Sequence, residues 1–366
     1  MENVGIREIL KNEYQANMIS KGDNSPKIKP SERKYLMEIC ILLHNKIATE
    51  DIREYLNLTN SEMKDKIEVL LREELIRKVD ENKYLPTCMI TNLEEGEKIY
   101  KNTDKFIEPA VGLMKANIEQ IKSKTYYINC FANFSFQSIS LFILSDVLMD
   151  TVQINNVEDL FLNSSRPKRN GMNYYFSLFE KPKGGIKESF GIYGNMYREY
   201  GNIAYGLYGN ERIGYNFHTI NEEKLKEIFG MQTCDVDKVK EELLIELVKK
   251  SKDESYSLDP VIEEGFIELG LIENHKVCIP ILSKVEFEQL SDIADVIKNE
   301  YIQIFSQGKD YIYESYRELE YINEITFEEY FIFWYHFFYT KVTDALIENN
   351  MIIMPKLKNF SYVVIP

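Results

Sequence analysis

Eight side chains between Thr59 and Lys83 have the chemistry of recognition: Thr59, Asn60, Ser61, Lys64, Lys66, Arg77, Lys78 and Lys83. Short hydroxyl and amide groups hydrogen-bond to base edges, and lysine and arginine neutralise phosphates. To act together, the first five must sit at the exposed start of one helix and the last three on a hairpin beside it.

The local sequence supplies both elements. Thr49 caps a short helix whose first turn carries Glu50 and Asp51, with Ile52, Tyr55 and Leu56 forming an apolar stripe. Asn57 to Asn60 break that pattern. Met63, Ile67, Leu70, Leu71 and Leu75 then recur at three- and four-residue spacing, which predicts a second helix with Ser61, Glu62, Lys64, Asp65 and Glu68 on the opposite face. The polar run Asp80, Glu81, Asn82 and the return from Tyr84 to Ile90 predict a β-hairpin. Upstream, Ser31 caps a helix from Glu32 to His44, and downstream Thr91 precedes another. Residues 31–105 therefore read as a winged helix-turn-helix, whose second helix would enter the major groove.

The runs ATEDIREYL, LTNSEMKDKIEVLLREELIRK and MITNLEEGEKI resemble the winged helices of the multiple-antibiotic-resistance-regulator (MarR-type) and arsenic-regulator (ArsR-type) families. In the first of these a leucine-threonine-x-x-glycine pattern follows the wing. Ile90, Thr91 and Gly96 stand in for it here, over a longer gap. The resemblance covers about a fifth of the chain and implies a fold more strongly than a partner, because winged helices also dock proteins.

Charge is distributed unevenly along the 366 residues. Residues 31–105 hold 13 Lys and Arg against 16 Asp and Glu, a net of −3, whereas a nucleic-acid module usually leaves a basic footprint. Residues 151–218 are the one sizeable stretch with a positive balance, +2, and residues 219–366 carry −14 of the chain's −15. Free nucleic acid is repelled from that last third.

The central block is rich in tyrosine and glycine, as in FGIYGNMYREYGNIAYGLYGN from Phe190. One reading has Tyr193, Tyr197, Tyr200 and Tyr205, with Arg198 and Arg212, lining a pocket for an anionic effector. The other packs the same tyrosines into a core. Ser138 to Met149, apolar except for Asp146 and its serines, is either a core helix or a subunit contact.

The acidic third echoes the first module: two helical patterns, then DPVIEEGFIELGLIENHKVCIPIL, a helix running into a wing-like strand. Helices are expected over Val285–Phe305, Tyr311–Tyr321 and Thr326–Asn350, and a closing hairpin from Met351–Met354 and Tyr362–Ile365. The aromatic run YFIFWYHFFY is either buried core or a dimer interface.

Catalytic patterns are missing from the sequence. The four histidines lie outside any H-E-x-x-H spacing, and no G-x-S-x-G elbow or phosphate-binding glycine loop occurs. The five cysteines are scattered without a C-x-x-C and read as buried free thiols, so neither a metal nor another cofactor is expected. No apolar run is long enough to span a membrane and the N-terminus lacks the apolar core of a signal peptide, which makes the cytoplasm the expected location.

Together these features predict an α+β chain, mainly α, with an N-terminal arm (1–30), a winged helix-turn-helix (31–105), a central helical and Tyr/Gly-rich region (106–218) and an acidic C-terminal region (219–366) holding a second winged-helix-like unit. The expected function is transcriptional regulation without enzymatic activity. A homodimer would read double-stranded DNA and a small-molecule or protein effector would act on the central block. A protein-docking adaptor and a ligand-binding protein or enzyme are the alternatives.

Overall fold

The computed structural model describes residues 2–20, 24, 30–181, 193–210 and 216–366. Helix accounts for 55% and strand for 18%, so the α+β, mainly helical expectation holds. The first half runs α1 (Glu2–Ile9), β1 (Glu13–Ser20), α2 (Leu36–His44), α3 (Thr49–Tyr55), α4 (Asn60–Arg72), β2 (Ile76–Asp80), β3 (Lys83–Pro86) and β4 (Met89–Thr91). It continues through α5 (Leu93–Asn102), α6 (Asp104–Ala116), α7 (Ile118–Tyr126), α8 (Phe136–Leu141), a π-helical run (Phe142–Thr151), α9 (Gln153–Phe161), β5 (Lys168–Arg169) and β6 (Met172–Lys181).

The second half opens on β7 (Gly194–Tyr200) and β8 (Ile203–Gly209), then α10 (Glu222–Phe229), α11 (Val236–Lys252), α12 (Pro260–Glu268), β9 (Ile272–Glu273), β10 (Lys276–Val277) and β11 (Ile281–Ser283). It ends on α13 (Lys284–Glu288), α14 (Leu290–Ala294), α15 (Lys298–Arg317), α16 (Phe327–Glu348) and β12 (Asn359–Ile365).

Backbone contacts gather these elements into two units, each discontinuous in sequence, with boundaries that differ from the linear ones expected. The first comprises Met1–Phe106, Glu158–Phe190 and Ile304–Phe338; the second Ile107–Val157, Gly191–Gln303 and Tyr339–Pro366.

In the first unit α2, α3 and α4 turn Leu36, Ile39, Leu42, Ile52, Ile67 and Leu70 into one core, closed by Tyr174, Phe176 and Leu178 from β6. Strand β6 lies between β1, antiparallel, and β4, parallel. The expected N-terminal arm is thus partly a helix and a sheet strand, because β1 can satisfy its backbone only by pairing with a strand more than 150 residues away. Part of the arm lies outside the described residues. The helix expected from Glu32 begins at Leu36, after a short 3-10 turn (Pro30–Glu32) and Tyr35 in the left-handed region (φ 73°).

The same unit buries most of the aromatic run. Phe331, Trp334 and Phe338 on α16 pack around Phe305, and Phe106 and Phe161 join the cluster. Of the two readings of that helix, core packing is the one observed.

The second unit centres on α10, α11 and α12, whose Leu225, Leu244, Leu247 and Phe266 pack with Tyr205, Leu207 and Val363 from a sheet in the order β11-β12-β8-β7. Two structural expectations change here. The closing hairpin is replaced by β12 pairing with β8 and β11, since Met351–Met354 form no strand. The helix over Val285–Phe305 is broken into α13, α14 and the start of α15. Of the two readings of Ser138–Met149, core packing is the one observed, residues 139–149 being buried in this unit and the part from Phe142 wound as a π-helix.

All five cysteines are free. Cys40 and Cys88 are buried, Cys130 is half-buried, and Cys234 and Cys278 are exposed, contrary to the reading of all five as buried. Among the described residues no helix is long and apolar enough to cross a membrane.

Candidate nucleic-acid interface

The start of α4 is set by chemistry local to it. Thr59 Oγ1 accepts from the Glu62 amide at 3.2 Å, and the Glu62 carboxylate accepts from the Thr59 amide and hydroxyl at 2.8 Å each, a capping box that fixes the first turn. Those bonds hold the Glu62 carboxyl below its ordinary range, the amide bond contributing most. Met63, Ile67 and Leu70 face the core, so Asn60, Ser61, Lys64, Asp65 and Glu68 are left on the exposed side.

The eight recognition residues have different neighbours. Asn60 and Ser61 are exposed and their side chains have no hydrogen-bond partner among the described residues. Lys64 lies 3.7 Å from Glu68, a pair in open solvent that salt readily screens. Lys66 donates to the Lys34 carbonyl at 3.0 Å, and Arg77 donates to the Asn323 carbonyl at 2.9 Å, so both side chains are partly tied to backbone. Lys78 and Lys83, on adjoining strands of the hairpin, are exposed and make no ion pair among the described residues.

A surface cleft of about 450 Å³ opens beside α4, lined by Arg33, Lys34, Tyr35, Asn57, Glu62 and Lys66 among others. The ammonium of Lys34 lies 4.6 Å from the centre of the Tyr35 ring and that of Lys66 5.7 Å from it. Arg33, Lys34 and Tyr35 were not among the residues singled out from sequence. Their place follows from the left-handed backbone at Tyr35, which no periodicity reveals.

The central tyrosines are occupied internally. Tyr193 Oη donates to Asp344 at 2.9 Å, Tyr200 Oη bonds His218 Nδ1 at 3.0 Å, and Tyr205 Oη bonds Ser361 Oγ at 2.6 Å, all three rings being buried. Tyr197 is exposed and stacks on Phe287, while Arg198 pairs with Asp237 at 2.5 Å. Arg212 lies outside the described residues. Burial and these hydrogen bonds give Tyr193, Tyr200 and Tyr205 the packing role of the two considered.

A second polar cluster was missed. Asp146, on the π-helical run, is fully buried; its carboxyl accepts from Thr151 and from Asn195 Nδ2 at 3.0 Å, and Asn195 Nδ2 also donates to Tyr362 Oη at 2.8 Å. Burial, helped by Asp150, pushes the Asp146 carboxyl well above its ordinary range, against the hydrogen bonds from Thr151 and Asn195 that lower it. Sequence showed Asp146 as the lone acid in an apolar run, but not its partner on β7.

No family model, curated protein or solved structure matches this chain. Among the described residues no group of three His, Cys, Asp or Glu is placed to hold a metal ion.

Proposed function

We propose that the chain is a DNA-binding transcriptional regulator, in which α2, α3, α4 and hairpin β2–β3 form a winged helix-turn-helix with α4 as its reading helix. The observation that carries this reading is the exposed, unpartnered set formed by Asn60 and Ser61 at the start of α4 and by Lys78 and Lys83 on the hairpin. Asn60 and Ser61 have the donors and acceptors to meet base edges, with Lys64 alongside, while the hairpin cations meet phosphate. Asp65, Glu68, Asp80 and Glu81 are exposed beside these groups and oppose the phosphates, so binding is weak, and with few phosphates neutralised its salt dependence is shallow.

The test is retention of a labelled duplex library by the purified protein at two salt concentrations. Retention at low salt is expected, and Lys78→Glu with Lys83→Glu should weaken it uniformly across sequences and flatten the salt dependence by about one phosphate contact per residue. Absence of retention even at low salt would leave the protein-docking adaptor as the better reading. That alternative is favoured by α12, where Val261 and Ile267 are 46% and 48% exposed beside Glu264 and Glu268.

A further inference from the structure

The two halves of the chain follow one plan. In each, a hairpin (β2–β3, β9–β10) follows a helix (α4, α12), and the short strand after it (β4, β11) pairs in parallel with the last strand of that half (β6, β12). That last strand pairs antiparallel with an early one, β1 or β8. The helix-to-hairpin junctions agree residue by residue at a constant spacing of 196. Glu74 and Gly270 are left-handed (φ 54° and 69°), and the next amides, Leu75 and Leu271, donate to Leu70 and Phe266 at 3.0 and 2.8 Å. Across the hairpins, Thr87 and Cys278 donate back to the carbonyls of Leu75 and Leu271 at 2.9 and 3.0 Å. Capping boxes follow at once in both, Asn92 with Glu95 and Ser283 with Glu286.

The halves also exchange helices. The first unit includes Ile304–Phe338 from the second half, and the second includes Ile107–Val157 from the first. Two chains that swap helices and are then joined end to end would give this arrangement. The aromatic face of α16, the candidate contact for a second chain, is already buried.

The copies have diverged where they would meet phosphate. From Asn60 to Pro86 six lysines and arginines stand against seven acids, a net of −1; from Pro260 to Val277 one, Lys276, stands against Glu263, Glu264, Glu268 and Glu273, a net of −3. A surface that cannot release counterions from DNA gains nothing from contact with it.

We infer that the chain is a tandem duplication that serves as its own pair, and that its DNA ligand is a single, non-palindromic half-site touched by the first copy alone. This rests on the DNA-reading function proposed above. It replaces the homodimer expected from sequence, since the second module is supplied by the same chain.

The test combines light scattering on the full chain, free and bound to a duplex recovered from the library, with sequencing of the recovered pool. The expected result is one chain in solution, one chain per duplex and a motif without dyad symmetry. Lys78→Glu should weaken binding about tenfold while Lys276→Glu changes it less than twofold. Two chains per duplex, a palindromic motif or equal losses in the two variants would overturn the inference and leave the DNA reading standing. A free protein that scatters as a dimer would overturn it independently of DNA. No retention of any duplex would overturn the DNA reading, and this inference with it.

Discussion

His218 shows how far a residue's surroundings can move its chemistry. Burial lowers its pKa to about 4, with Lys240 and Arg198 adding to the effect and the Met196 carbonyl, 3.0 Å from Nε2, opposing it. The imidazole is therefore neutral at pH 7, donating from Nε2 to Met196 and accepting the Tyr200 hydroxyl at Nδ1. The folded pKa lies below the unfolded value near 6.5, so the unfolded chain takes up a proton that the folded chain refuses. His218 then contributes its full stability above pH 6.5 and loses it as pH falls towards 4, by up to roughly 3 kcal/mol. Urea unfolding of the wild type and His218→Gln across that window should show the smaller decline in the variant. Equal declines would place the acid sensitivity elsewhere. The histidine itself is visible in the sequence, but its burial, which decides its charge, is not, and neighbours such as Tyr200 and Lys240 stand about 20 residues away on either side.

At the scale of elements, close approach can outweigh intrinsic preference. Gly308 lies within α15, where alanine would ordinarily favour helix by about 1 kcal/mol. A Cβ there would stand 2.1 Å from Cε1 of the buried Phe106 ring, which is itself wedged against Trp334. Gly308→Ala should therefore destabilise the protein, by about 1 to 3 kcal/mol, and lower its Tm. A rise in Tm would mean that Phe106 yields freely. Helices such as α4 were legible because capping and periodicity are local, as Thr59, Glu62 and the Met63, Ile67, Leu70 stripe show. Strand β1 was not, because EYQANMIS has no clean alternation and its partner β6 is distant in sequence.

At the scale of the whole molecule, the exchange of helices makes the two halves interdependent. Residues 1–190 expressed alone would lack Ile304–Phe338, and with it Phe305, Phe331 and Trp334 from the aromatic core of the first unit. They would also lack Glu329, leaving Arg169 buried without the carboxylate it pairs with at 2.8 Å. The isolated half should melt without cooperativity and bind a hydrophobic dye, and co-expression of residues 191–366 should restore a sharp transition. Cooperative melting of the isolated half would show that the exchanged helices are dispensable.

The caps expected at Ser31 and Thr49 are not made; what the sequence determined by itself was local: the capping box of α4, the apolar stripes of α2 to α4, the hairpin with its lysines and the uneven charge. These depend on residues a few positions apart, where hydrogen bonding and burial follow directly from spacing. Tertiary structure alone decided that Tyr193, Tyr200 and Tyr205 spend their hydroxyls on Asp344, His218 and Ser361, and that Asp146 is buried against Asn195. It also decided that each unit is completed by helices from the other half. Strand pairing, burial of charge and helix exchange join residues from about 20 to more than 200 positions apart, and no local pattern encodes which of the available partners a side chain will meet.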